Sequence, residues 1–235
     1  MSKKRTSFVF AASLGFAAGL LLTWLPARGA ERFDHQVRNL FFAGFAGDAA
    51  SLAKGLKICE DILAQEPDHA EALVWHGAGL FFQSGEAFRQ QAPHAMDLYG
   101  RGIAEMNRAV KLAPNNVGVR VPRGAVLLTS ARFVPAQQGQ ALLRDGISDF
   151  EAVLELQKES FARLGTHPRG ELLFGLADSY SRTGNSGKAQ YYFDRIAAEL
   201  PNTVYARRAA LWNETKQPLP PSQTGCVGCH EAGQR

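Results

Sequence analysis

The sequence predicts an all-α protein in which about four helix pairs stack between an apolar N-terminal helix and an irregular C-terminal tail. Three observations carry that expectation. The usage of Ala, Leu, Gly and Glu favours helix over sheet. Amphipathic segments of one pattern recur along the middle of the chain. Several copies close on a proline, where a helix must stop. An apolar share of 46% and a charged share of 20% are those of a soluble globular chain. The expected organisation is 1–30, a signal peptide or membrane anchor; 31–212, a helical repeat domain; 213–225, a proline-rich linker; and 226–235, a tail that carries the chemistry.

At the N-terminus, Lys3, Lys4 and Arg5 precede an apolar run from Phe8 to Leu25 and the helix breaker Pro26. That is the pattern of an export signal. The run is long for a signal-peptide core and just long enough to span a bilayer, so a cleaved signal and a retained anchor both stand. Ala27, Gly29 and Ala30 offer small residues for cleavage, and Arg28 interrupts them. In either case the cations stay inside and the chain after residue 30 faces out. The expected location is therefore the periplasm, or the outer face of the cytoplasmic membrane with attachment through residues 8–25. Lys3, Lys4, Arg5 and Arg28 account for the whole formal charge of +4. The remainder is neutral and lacks the Lys and Arg clusters that neutralise phosphates, which excludes nucleic acid as the expected partner.

Three segments align: GLKICEDILAQEPDH from Gly55, GIAEMNRAVKLAPNN from Gly102 and GISDFEAVLELQ from Gly146. Apolar residues recur at helical spacing in each, as in Ile58, Ile62 and Leu63 or Ile103, Met106, Ala109 and Val110. A fourth copy, AQYYFDRIAAELPNT, starts at Ala189 and stops at Pro201, as the first two stop at Pro67 and Pro114. Upstream of the last three copies lies another helical segment with an interior glycine: Gly77, Gly124 and Gly175. A glycine there lets two helix backbones approach closely.

Together these features resemble the tetratricopeptide repeat, a two-helix unit whose second helix ends in Pro followed by Asp or Asn. The matching residues are Gly77, Phe81, Gly102, Ala109, Pro114, Asn115 and Asn116, with Gly175, Ala189, Phe193, Ile196 and Pro201 in the last unit. The resemblance covers roughly Gln36 to Trp212 and implies a superhelical stack with a concave groove that binds a protein partner. The family's unit is about 34 residues long. Here Gly55 to Gly102 is 47 residues and Gly102 to Gly146 is 44, so insertions such as Glu86 to Leu98 must lengthen a helix or form loops. Val74, Ala78, Phe81 and Phe82 are candidates for an apolar groove lining and equally for core. Cys59 lies among Ile58, Ile62 and Leu63, where a buried free thiol is expected; as an odd cysteine it could also pair between molecules.

Beyond Trp212 the chain turns polar and proline-rich from Pro218 to Gly225, a semi-rigid linker. It delivers Cys226, Val227, Gly228, Cys229 and His230. Two thiols at this spacing can add to the two vinyl groups of a haem, and the adjacent imidazole can then bind the iron as proximal ligand. With three Cys and six His in 235 residues, chance would produce roughly 0.001 such strings, so the motif is specific. One covalent haem c on Cys226 and Cys229, ligated by His230, is the expectation, and c-type cytochromes receive their haem outside the cytoplasm. A CxxC disulfide and a zinc site are the competing readings; zinc wants four ligands and no second pair lies nearby.

Only five residues follow His230 and none is Met. No free-standing cytochrome domain is expected around the motif, and the haem is expected to be exposed on the tail or covered by the repeat domain or a partner. Sixth-ligand candidates are His35, His69, His76, His94, His167, Met96 and Met106. His94 and Met96 lie in the insertion and are the preferred pair, whereas His76, beside Trp75, reads as a packing histidine. The expected function is single-electron transfer with a docked, possibly redox, protein, and not enzymatic turnover. The rivals are an assembly or scaffold protein, including one that holds apocytochrome segments, and a peroxidase-like haem enzyme.

Overall fold

The computed structural model describes residues 32–224; the apolar run 8–25 and the Cys226–His230 motif lie outside them. Among the described residues the protein is all-α, with nine α-helices and no strand. In chain order these are α1 (Phe33–Phe45), α2 (Ala49–Gln65), α3 (Ala70–Arg89), α4 (Ala95–Leu112), α5 (Val117–Ser130), α6 (Ala136–Leu156), α7 (Thr166–Arg182), α8 (Ser186–Glu199) and α9 (Val204–Thr215). None of them is long and apolar enough to cross a membrane.

The helix boundaries follow from local chemistry. Asp48 caps α2, its carboxylate accepting from the Ala50 and Ser51 N–H groups at 3.1 and 3.0 Å. Asn116, Asn185 and Thr203 cap α5, α8 and α9 in the same way. At the other ends, Glu66, Ala113 and Leu200 leave the helical region with ψ of 79°, 68° and 48°. Each precedes one of the stop prolines, whose ring disfavours a helical neighbour. The extra residues of the second unit go into helix length, since α3 extends to Arg89 and α4 begins at Ala95.

Consecutive helices pack as α1 with α2, α3 with α4, α5 with α6 and α7 with α8, and α1 with α3, α3 with α5 and α5 with α7 also touch. The α3–α4 pair runs antiparallel, Gly77 facing Gly102 and Met106 while Phe88 reaches Tyr99. Glycines set these distances. A methyl group on Gly102 would lie 2.7 Å from the Gly77 carbonyl oxygen. The Phe150 ring of α6 fills the space left by two glycines, Gly124 of α5 against one edge and Gly175 of α7 against the other.

The core forms two clusters divided by α5 and α6. Leu127 and Leu142 belong to the cluster built on α1–α4, and their neighbours Leu128 and Leu143 to the one built on α7–α9. Adjacent helical residues point about 100° apart, so one helix serves both. Val74, Ala78 and Phe81 are buried, because α3 is enclosed by α1, α2, α4 and α5. They are core, and Phe82 alone of the expected groove lining is exposed. Cys59 is a buried free thiol.

Two side-chain pairs bridge the helix faces beside the glycine contacts. His76 Nδ1 lies 2.6 Å from Glu105 Oε2. At the equivalent position of the next unit, Arg123 grips Asp149 with two hydrogen bonds of 2.6 and 3.0 Å and reaches Asn107 at 2.8 Å. Burial pushes the Asp149 carboxyl above its ordinary range, against the pull of Arg123 and Arg120.

Candidate functional site

The chain that leads to Cys226 is held against the helical body. Lys216 closes α9 in the left-handed region, φ 55°. Its ammonium sits 4.6 Å from the centre of the Trp212 ring and donates to Gln190 Oε1 and Asn213 Oδ1 at 2.6 and 2.7 Å. Three residues on, Leu219 is 5% exposed and belongs to the C-terminal core cluster. Its carbonyl accepts from Arg132 Nη1 at 3.1 Å. Pro221–Gln223 then form one 3-10 turn, closed by the Thr224 N–H on the Pro221 carbonyl. The expected linker 213–225 is thus α9 as far as Thr215, then an anchored strap.

Thr224 ends on a cleft of about 80 Å³ between α5 and α7. Its walls include Thr129 and Arg132 from the α5 side, Phe174, Asp178 and Ser179 from α7, and Phe150 from α6. Asp178 is a carboxylate in an apolar helix, and its Oδ2 is held by Arg132 Nη2 and lies 3.6 Å from Arg182 Nη1. Burial pushes its carboxyl up, opposed by the Arg132 guanidinium and then Arg182. The same burial, with Arg132 nearby, lowers Arg182. Asp178 Oδ1 and Ser179 Oγ are buried and have no hydrogen-bond partner among the described residues. A buried polar atom left unpaired costs about 1–3 kcal/mol, so these two call for donors.

Cys226, Cys229 and His230 lie outside the described residues. The proposed sixth ligands are differently placed. His94 is exposed at the N-terminus of α4 with no side-chain capping bond, and Met96 is 65% exposed. Met106 is fully buried, and His76 is engaged by Glu105. His69 caps α3 through the Ala72 N–H, and His167 Nδ1 lies 3.0 Å from the Tyr205 hydroxyl. His35 is exposed, 3.9 Å from Asp34. Among the described residues no group of three or more His, Cys, Asp and Glu is placed to hold a metal ion.

The cleft was not read from sequence. The one available signal was Asp178–Ser179 inside the apolar run of α7, an acid and a hydroxyl where the repeat pattern calls for core. No protein family, curated protein or solved structure matches the chain.

Proposed function

We propose that this is an exported helical-repeat protein that binds a protein partner and carries one covalent haem c at its C-terminus, passing single electrons between that haem and the partner. The observation that carries the reading is the Cys226–Val227–Gly228–Cys229–His230 motif at the end of a strap anchored by Leu219 and Arg132. The donor set suits the group: each thiol adds across a vinyl, its hydrogen passing to carbon, which requires no oxidant, and His230 supplies an imidazole. The bound haem would supply reversible one-electron storage. Of the candidates to complete its ligation we retain His94 and Met96, which are exposed where Met106 and His76 are enclosed. Export is part of the reading, resting on Lys3, Lys4, Arg5 and the run that follows.

A tetratricopeptide-type stack is the architecture we assign to the body. The pairing of consecutive helices, the contacts among α1, α3, α5 and α7, and the glycine approaches favour it. One observation favours a second function, that of an assembly factor: the strap lies on the α5–α7 face, where a groove that holds CxxCH segments of client proteins would bind.

A pyridine haemochrome spectrum with mass spectrometry tests the first reading, on protein exported by a host with c-type maturation machinery. Haem retained after denaturation and lost in Cys226→Ala/Cys229→Ala is expected. A colourless protein two mass units light would sink it, as the signature of a disulfide. Capture of unattached CxxCH peptides by that variant would select the assembly factor.

A further inference from the structure

We infer that His167, Tyr205 and Glu171 form a binding site for one cupric ion, held through His167 Nδ1, the Tyr205 hydroxyl oxygen and Glu171 Oε1. None of the three belongs to the C-terminal motif, so the site does not depend on haem attachment. His167 and Glu171 lie one turn apart on α7 and share a face. Tyr205, in the first turn of α9, crosses that face at Gly170, where a methyl group would meet its ring at 2.1 Å. The glycine lets the buried phenol reach both side chains. Its oxygen lies 3.0 Å from His167 Nδ1 and 2.7 Å from Glu171 Oε1, and those two atoms are 4.0 Å apart. No third His, Cys, Asp or Glu is placed here among the described residues, and the phenol supplies the third donor.

The three distances, 3.0, 2.7 and 4.0 Å, are the sides of a triangle with a right angle at the phenol oxygen, so the midpoint of the longest side lies about 2.0 Å from all three atoms. That matches the bonds a first-row metal makes to imidazole nitrogen and carboxylate oxygen, about 2.0–2.2 Å. An ion at this point has nitrogen and carboxylate opposite one another and the phenol oxygen at about 90° to both, three corners of a square. A tetragonal N,O set suits copper(II) and nickel(II), and copper(II) is bound more tightly of the two. With no thiolate or thioether in the set, the oxidised ion is favoured over copper(I). Both side chains on α7 are part-exposed, which gives the ion an entry and a water for the fourth corner. Without the ion, the Tyr205 hydroxyl donates to Glu171 Oε1, so His167 Nδ1 donates to the hydroxyl oxygen. Copper replaces both protons. The phenol proton leaves to solvent and the proton of the neutral imidazole passes from Nδ1 to Nε2, so each ion bound releases one proton.

Cupric chloride titrated into the full-length Cys226→Ala/Cys229→Ala chain, in which no tail thiol competes, tests this. One tightly bound ion per chain is expected, with a nitrogen-coupled cupric EPR signal, a phenolate-to-copper charge-transfer absorption in the visible and about one proton released per ion. Tyr205→Phe in that chain keeps the ring against Gly170 and should hold the thermal midpoint within a few degrees. Its charge-transfer band is expected to vanish and its binding to weaken at least about tenfold. His167→Ala, at a part-exposed position, should weaken binding as much and remove the imidazole coupling from the signal. Copper bound without the charge-transfer band would overturn the site. So would a band that survives in Tyr205→Phe, binding indifferent to His167→Ala, or no stoichiometric binding at micromolar copper.

Discussion

At the scale of single residues, Gly102 has no room for a methyl group. Its Cβ would meet the Gly77 carbonyl oxygen at 2.7 Å and the Phe81 nitrogen at 2.8 Å, both backbone atoms that cannot swing aside. Gly102→Ala is therefore expected to lose about 1–3 kcal/mol, as overpacked cores do, even though alanine favours helix; urea denaturation would show a lowered midpoint. Gly100, two residues away with open space around it, is the control, and Gly100→Ala should be neutral or stabilising. Cys59 gives a second test. Burial, with Glu105 and Glu60 nearby, pushes its thiol up to about 12. Only the thiolate reacts, so in the Cys226→Ala/Cys229→Ala chain no labelling by a disulfide reagent is expected at about pH 8 until the protein is unfolded; prompt labelling of native protein would show the site to be open. Both residues were legible in the sequence, because a recurring glycine and a cysteine inside an apolar stripe are local patterns. The partners of His76 and Arg123 were not. Glu105 and Asp149 lie 29 and 26 residues away, and only the packing of one helix on another brings them into reach.

At the scale of helices, the sequence located the elements well, since the N-caps and stop prolines that define their ends act within a turn. It left open where the long insertion goes, because lengthening a helix and forming a loop cost similar local free energy and tertiary contacts such as Phe88 with Tyr99 decide. Phe150 illustrates how pairs are joined into one body. It lies on α6 but fills the glycine notches of both α5 and α7, so Phe150→Ala should cost about 3–5 kcal/mol and loosen contacts in two units at once. Exchange protection is expected to fall in α5 and α7 alike, and a loss confined to α6 would contradict this role. Glu199 at the end of α8 ties that helix to α7, accepting from Arg195 at 2.7 Å and from Arg169 at 2.9 Å. Partial burial raises its carboxyl, but the Arg195 and Arg169 hydrogen bonds outweigh it and hold the group below its ordinary value of 4.5. A depressed carboxyl stabilises the fold above its unfolded pKa and loses that contribution as the pH falls through the folded one. The wild type should therefore exceed Glu199→Gln by about 1 kcal/mol near pH 6, and the gap should narrow as the pH falls below 4.5. Asp149 and Asp178, raised by burial, act with the opposite sign, so the comparison must be made against the variant and not on the wild type alone.

At the scale of the whole molecule, the question is whether the tail is an appendage or part of the fold. Composition alone reads Pro218 to Gly225 as a linker, since prolines and small polar residues resist helix and show no periodicity. That reading misses Leu219, because a single apolar residue in a proline-rich run makes no pattern, and the core cluster it joins is assembled from residues distant in sequence. Yet Leu219 is 5% exposed, and the Arg132 that binds its carbonyl also holds Asp178, so one guanidinium fastens the strap to α7. Replacing it by a charge should release the strap while leaving the helices intact, since α1–α9 retain their own contacts. In Leu219→Asp, trypsin is expected to cut after Lys216 at least about tenfold faster than in the wild type, where the Lys216 ammonium is bound over Trp212. The thermal midpoint of the helical body should move by no more than a few degrees. Faster cleavage with an unchanged midpoint would establish the strap as a separately anchored element. A midpoint falling in step with the cleavage rate would instead show that Leu219 contributes to the stability of the whole helical body.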